Sequence, residues 1–114
     1  MRNLVKVFKA LSDPNRIRIL KMLEKRSLCV CEIREVLQLA NSTVSKHLSI
    51  LRDVELILDK KSGKWVNYYL NTYESEKYVS QLLPLLRKWL PEDSVILRDS
   101  KMVDIVDRQK LCTT

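Results

Sequence analysis

Two cysteines, Cys29 and Cys31, stand two positions apart, and they are the side chains best suited to site chemistry. Thiolates are soft ligands, so such a pair favours soft metal or metalloid ions over magnesium or calcium. Two thiols are too few for a four-ligand zinc site, and the chain has a single histidine, His47, to add to them. A disulfide between them would be cramped, because bridged Cα atoms prefer a separation of about 5.5–6 Å. The pair therefore indicates either a soft-ion site or a small buried Cys29 beside an incidental Cys31.

The third cysteine, Cys112, lies in the last three residues of the 114-residue chain. An odd number of cysteines argues against a secreted disulfide framework and fits a reducing compartment. Lys6 and Lys9 interrupt the apolar stretch at the N-terminus, which is not typical of a signal peptide. The longest uncharged run has ten residues, well short of the roughly 18–20 that cross a membrane. We expect a soluble, cytoplasmic protein with no membrane partner.

A second group of side chains could bind nucleic acid, and it lies on a predicted helix over 43–53. Val44, Leu48 and Leu51 recur at helical spacing and would face a core. Small hydroxyl groups and cations occupy the other faces, where they could approach a DNA groove and donate to bases or phosphates. These residues are Ser42, Thr43, Ser45, Lys46, Ser49 and Arg52. An ordinary exposed helix also carries Ser and Lys, and His47 is either half-buried in packing or a phosphate contact.

A hairpin tip strengthens the nucleic-acid interpretation. Residues 65–70 alternate in character like a strand, and residues 56–61 would pair with them across a tight turn at Ser62 and Gly63. Like charges repel, so a cluster of lysines on a protruding ribbon favours a nearby polyanion. The lysines at this tip are Lys60, Lys61 and Lys64. We expect them to contact phosphate or the minor groove.

The remaining pattern predicts mostly helix. Apolar spacing indicates helices over 4–11, 14–26, 31–39 and 73–90, with Asp13 and Pro14 starting the second. Only residues 40–42 separate the helices over 31–39 and 43–53, which is the spacing of a helix-turn-helix. We therefore predict a mainly α, homodimeric winged helix-turn-helix. Residues 1–90 would form the DNA-binding and dimerisation domain, and residues 91–114 a partly helical extension.

The helix over 73–90 is apolar on two sides and contains Pro84, so a kink or an early break is expected. One side can cover its own core. The other needs a partner, most simply the same helix of a second subunit, unless the helix is buried inside a monomer.

The charge distribution points to the same half of the chain. The net charge is +7, and residues 1–70 hold 14 basic and 7 acidic side chains, whereas the rest of the chain holds equal numbers. A polarised excess of this kind is typical of a surface that faces a polyanion, nucleic acid first and an acidic membrane second.

Three motifs together resemble the ArsR/SmtB family of metal-responsive repressors, over about residues 4–90. They are the Ser27–Glu32 thiol element, the Ser42–Leu51 stretch and the Leu58–Leu70 wing. The resemblance implies that Cys29 and Cys31 bind an inducer, that residues 42–49 contact operator DNA, and that a dimer forms through the first and fifth helices. The sequence departs from the family pattern at Glu32, where Asp is usual, at Glu55, where Gly is common, and at Arg34, where arsenical repressors have a third thiol.

Within that resemblance, trivalent arsenic or antimony is the best inducer, and DNA binding needs no cofactor. The third sulfur would come from Cys112, of the same or the partner subunit, or from a cellular thiol. We expect Cys29 and Cys31 to be helical and so to point about 200° apart, and one ion can then reach both sulfurs only if the start of this helix unwinds or shifts. Alternatives are a redox sensor whose thiol pKa is lowered by the helix N-terminus, or a sensor of cadmium, lead or zinc. An enzyme with a Cys/His pair has little support, because no Ser-His-Asp order or Gly-rich loop is present.

Overall fold

The computed structural model describes residues 1–73 and 77–111. Within these ranges the chain is mostly helical, with one small antiparallel sheet. The elements are α1 Arg2–Leu11, α2 Pro14–Leu23, β1 Leu28–Cys29, α3 Val30–Leu37, α4 Asn41–Asp53, β2 Ile57–Ser62, β3 Trp65–Leu70, α5 Lys77–Lys88, α6 Ser94–Ile105 and α7 Arg108–Leu111. No helix in the described ranges is long and apolar enough to span a bilayer.

Side-chain caps set the starts of two of the helices. Asp13 accepts from the backbone N–H groups of Asn15 at 2.8 Å and Arg16 at 3.2 Å, which confirms the predicted start of α2 at Pro14. Asp93 caps α6 in the same way. The helix α4 starts earlier than predicted, at Asn41, and its N-cap residue, Ala40, has no polar side-chain group that could accept a hydrogen bond from the first turn. Cap chemistry therefore sets the starts of α2 and α6, whereas α4 begins without a side-chain cap.

The helix-turn-helix is formed by α3 and α4. The turn follows Gln38, whose backbone is left-handed at φ 57°, and this ends α3 before Leu39. Ile33, Leu48 and Leu51 are fully buried in the core that α2 also joins through Leu20. The apolar stripe predicted for α4 is therefore the face that fixes its orientation.

The sheet has the order β1-β3-β2 and includes a strand that the sequence did not predict. The β2–β3 hairpin closes through the pair Ser62↔Trp65, and Gly63 takes a left-handed φ of 60° in the turn. Strand β1 pairs Leu28 with Tyr68 and Cys29 with Asn67. Two residues are too few to show a period, and this is why alternation could not reveal β1.

Helix α5 runs through Pro84 without a break and ends at Lys88. Val79, Leu83 and Leu86 are buried in the chain's own core, while Leu85 is 46% and Trp89 49% exposed. The expectation of two different faces thus holds, with Leu86 on the inner face and Leu85 on the outer one.

The segment after α5 folds back onto α2 and α3. Asp99 of α6 is buried, and Arg18 of α2 donates to its two carboxylate oxygens at 2.7 and 3.0 Å. Lys25 pairs with Asp104 at 2.7 Å. Charged contacts therefore fix α6 along the outer side of α2, and Val103 of α6 enters the common core.

Candidate DNA interface and thiol site

The outer face of α4 is open to solvent along its length. Val44, Leu48 and Leu51 hold the helix to the core. All six polar residues predicted for this face are exposed, namely Ser42, Thr43, Ser45, Lys46, Ser49 and Arg52. Small hydroxyl groups leave the backbone of α4 accessible, so the helix has the shape and polarity that major-groove binding requires.

His47 is half-buried and has a partner inside the protein. Its Nδ1 lies 3.2 Å from Nη1 of Arg16. Arg16 also donates to the backbone oxygens of Ala10 at 2.7 Å and Lys9 at 3.2 Å. His47 is thus part of the junction between α1, α2 and α4. Arg16 lies 31 positions away in sequence, and no local pattern could have revealed this contact.

The wing presents its lysines outward. Lys60, Lys61 and Lys64 are all exposed. In the described part of the chain, no carboxylate lies within ion-pair distance of any of them. The wing's acid, Asp59, pairs instead with Arg52 of α4 at 3.0 Å. The wing tip is therefore a cluster of unneutralised positive charge beside α4.

Cys29 occupies a junction between the sheet and the helix-turn-helix. It is buried, its backbone is extended, and it is both the last residue of β1 and the N-cap of α3. Its N–H donates to Oε1 of Glu32 at 3.0 Å, and its sulfur accepts from the Glu32 backbone N–H, which completes a capping box. The sequence interpretation of Cys29 as a buried residue is confirmed, but its assignment to the helix is wrong.

The environment of Cys29 disfavours its thiolate. Burial raises the pKa of the thiol above its ordinary value. The backbone N–H of Glu32 opposes this rise in pKa, and the negative charge of the Glu32 carboxylate adds to it. The expectation that the helix N-terminus lowers this pKa is therefore wrong for Cys29, because desolvation outweighs the helix effect.

Cys31 differs from Cys29 in position and state. It lies in the first turn of α3, is half-buried, and is disulfide-bonded. Cys112, predicted as the third ligand, lies outside the described residues. In the described part of the chain, no three His, Cys, Asp or Glu side chains come together in a way that could hold a metal ion. Of the predicted ligands, Cys29 and Cys31 lie in the described residues. Because Cys29 precedes α3, the two cysteines do not lie on opposite faces of one helix.

Glu32 connects the thiol cap to the C-terminal segment. Its carboxylate is buried, and its Oε2 accepts from Nη1 of Arg26 at 3.0 Å. Arg26 also donates to the carbonyls of Val103 at 2.9 Å and Val106 at 3.2 Å. An open cavity of about 580 Å³ lies beside these groups and reaches β3. The sequence gave no sign of this network, since Glu32 stood out only as a departure from a family motif.

The comparisons with known proteins agree with this architecture. A model of the arsR family of bacterial regulatory proteins matches residues 13–58. The chain is 33% identical over 98 residues to the arsenic resistance transcriptional regulator ArsR1 of Pseudomonas putida, a match that covers 82% of this chain and 76% of that protein. The chain belongs to the ArsR family.

Two further similarities support this membership. The ArsR-family chain is 40% identical over 70 residues to an arsenical resistance operon repressor of Escherichia coli, which covers 60% of each protein. Among solved structures, reduced HlyU from Vibrio cholerae aligns with a TM-score of 0.66 and 31% identity, over 80% of this chain and 92% of that one. The predicted winged helix-turn-helix fold is confirmed, and the family is one of transcription regulators rather than enzymes.

Proposed function

We propose that this protein is a homodimeric repressor that releases operator DNA when trivalent arsenic or antimony binds Cys29 and Cys31. One observation carries the proposal: buried Cys29 is both the N-cap of the first helix of the helix-turn-helix and a sheet partner of the wing. A ligand at this residue would disturb both DNA-binding elements at once. The names of the relatives, an arsenic resistance regulator and an arsenical operon repressor, support the class of inducer.

In this proposal α4 binds in the major groove and the wing binds phosphates. Ser45 and Ser49 would contact base edges, while Lys46 and Arg52 would contact the backbone. The wing lysines supply charge that does not depend on sequence. DNA binding itself requires no cofactor.

The dimer would form through the exposed apolar residues of α1 and α5. Phe8 of α1 is 56% exposed, and Leu85 of α5 and Trp89 just after it are also only partly buried by their own chain. Two recognition helices would then meet major grooves one turn apart, so the operator should be an imperfect palindrome with half-sites about 34 Å apart. Sedimentation of Leu85→Lys tests this interface, and a dimer that persists would contradict it.

The donor chemistry of the site suits a soft, trivalent inducer. Arsenite supplies an arsenic centre at which each thiol forms an As–S bond and releases one water. Cys29 must give up its proton and leave the Glu32 N–H for this, so the capping box opens, and Cys31 must be reduced. A ligand shifts the equilibrium only by its differential affinity for the opened state, and a coupling of about 1–3 kcal/mol would weaken operator binding roughly 5- to 150-fold.

The decisive experiment is arsenite-induced release of a labelled operator, followed by fluorescence anisotropy in a phosphine reductant. Cys29→Ser and Cys31→Ser should bind operator normally and ignore arsenite. Cys112→Ser should respond more weakly if Cys112 is the third ligand, and an unchanged response would assign that position to a cellular thiol. Release of DNA from Cys31→Ser by arsenite would overturn the proposal.

A second candidate function is thiol redox sensing, favoured by the disulfide bond at Cys31. HlyU, which is similar in structure, is described in its reduced state. Disulfide formation would remove two protons and two electrons from a thiol pair, with peroxide as the oxidant reduced to water. The same operator assay with peroxide in place of arsenite, and no reductant, separates the two candidates. Release by peroxide alone would favour the redox sensor.

A further inference from the structure

The C-terminal segment of residues 94–111, which we call the strap, contacts both the thiol cap and the wing through residues 103–108. On the thiol side, Arg26 donates to the strap carbonyls of Val103 and Val106 and to the buried carboxylate of Glu32. Because a buried carboxylate needs its counter-charge, Glu32 fixes the position of Arg26. Arg26 in turn fixes the end of α6.

On the wing side, Arg108 makes the contact. Nη1 of Arg108 donates to Oδ1 of Asn67 on β3 at 2.8 Å. The Arg108 guanidinium carbon also lies 5.1 Å from the ring centre of Trp65, which is within cation–π distance. Asn67 is the residue that pairs with Cys29 across the sheet. The strap and β1 therefore converge on the same residue of the wing.

These contacts form a closed ring of interacting residues beside the cavity of Arg26 and Glu32. The ring runs from Cys29 through Glu32 and Arg26 to the strap, then through Arg108 to Asn67, which pairs with Cys29 across the sheet. We infer that Arg108 is a positioning residue for DNA binding, and that the strap transmits changes at the thiol cap to the wing. The second half of this inference rests on the proposed function.

The geometry argues against a direct phosphate contact by Arg108. Its guanidinium is directed to Asn67 and to the ring of Trp65, and the residue is half-buried. Lys64 lies 4.9 Å from the centre of the same ring and is exposed. Arg108 therefore holds the ring beside which Lys64 stands, while Lys64 remains available to DNA.

The test compares Arg108→Ala with Arg98→Ala, which removes the same charge from an exposed position of the strap. Among the described residues, the Arg98 side chain has no hydrogen-bond or ion-pair partner, so this variant controls for net charge. Loss of a charged hydrogen bond and a cation–π contact should weaken operator binding about three- to tenfold in Arg108→Ala relative to Arg98→Ala. The salt dependence of affinity should match that of Arg98→Ala, and Arg108→Lys should recover part of the loss.

A DNA-free measurement isolates the wing. In a Trp89→Phe background Trp65 is the single tryptophan, and acrylamide quenching of its fluorescence reports its exposure. Quenching should increase in Arg108→Ala and stay unchanged in Arg98→Ala. Adding arsenite to the Trp89→Phe protein, kept in a phosphine reductant so that Cys31 is a free thiol, should increase quenching too, and this increase should be much smaller once Arg108 is absent.

Three results would overturn the inference. Equal quenching and equal affinity in Arg108→Ala and Arg98→Ala would show that Arg108 does not position the wing. A salt slope about one unit shallower per subunit than in Arg98→Ala would make Arg108 a phosphate contact instead. Arsenite that binds, as shown by equilibrium dialysis, but leaves Trp65 quenching unchanged would refute transmission through the strap and leave the proposed function standing. Arsenite that does not bind would refute the proposed function, while the comparison with Arg98→Ala still tests Arg108.

Discussion

The positive charges on α2 and those on α4 and the wing are arranged in opposite ways. On α2, Arg18 is paired with a buried carboxylate, and Lys21 contacts Glu24 at 3.0 Å and the carbonyls at the end of α5. On α4 and the wing, Lys46 and the tip lysines point into solvent, and the described residues offer them no carboxylate.

This difference separates structural charge from functional charge. Paired, desolvated cations hold the strap and α5 to the rest of the fold, and their removal leaves partners unsatisfied. Unpaired, solvated cations add little to folding and repel one another, so they are available to a polyanion. Net charge alone could not distinguish the two sets, because both lie in the basic first seventy residues.

The largest effect should come from breaking a paired charge. Arg18→Met leaves the buried Asp99 carboxylate, 3% exposed, without its partner and should lower the free energy of unfolding by about 3 kcal/mol. Lys46→Ala should change it by less than about 0.5 kcal/mol, because exposed positions without partners contribute little. Urea unfolding followed by circular dichroism measures both. Equal effects of the two substitutions would show that paired and unpaired cations contribute alike to stability.

The reverse pattern is expected for operator binding, beginning with the wing. Lys61→Ala removes one of the proposed phosphate contacts and should flatten the dependence of log affinity on log salt by about one unit per half-site. Affinity should fall by the same factor for every DNA sequence, and the free energy of unfolding should not change. Lys101→Ala, an exposed lysine on α6, is the matched control. A salt slope in Lys61→Ala equal to that of Lys101→Ala would show that the wing does not touch phosphate.

Most of the fold could be predicted from the sequence, because most of its elements follow from local patterns of residue type and spacing. The apolar stripe of α4, the cap Asp13 and the turn at Gly63 were visible in types and spacing. The short strand β1, the Glu32–Arg26 pair and the Arg16–His47 contact were not, since each depends on residues brought together by the finished fold. For the same reason the burial of Cys29 was predicted correctly, whereas its backbone was assigned to a helix although it lies in β1, which forms only by pairing with the distant β3.

A smaller effect should be seen at α4, the helix proposed to enter the major groove. Ser49→Ala removes a hydroxyl from the exposed face of α4 without removing charge, so the salt slope should stay as it is. Discrimination between the operator and a singly substituted operator should fall, by at most about 1–3 kcal/mol at the affected base pair. Competition binding with a set of singly substituted operators would measure it. Uniform weakening across that set would mean that Ser49 contacts the backbone and not a base.

The smallest effect concerns Asp59, where the two charge arrangements meet. Asp59 belongs to the wing but is paired with Arg52 at 3.0 Å, and both side chains are largely exposed, at 40% and 45%. An exposed pair contributes about 0–1 kcal/mol, so Asp59→Asn should change the free energy of unfolding by less than that. It also removes a negative charge beside the wing lysines and frees the Arg52 guanidinium, so operator affinity should rise about two- to threefold at low salt. The gain should disappear as salt screens the surface. A loss of affinity would show that the pair holds Arg52 in its DNA-binding position, which would make it structural in the same sense as the pairs on α2.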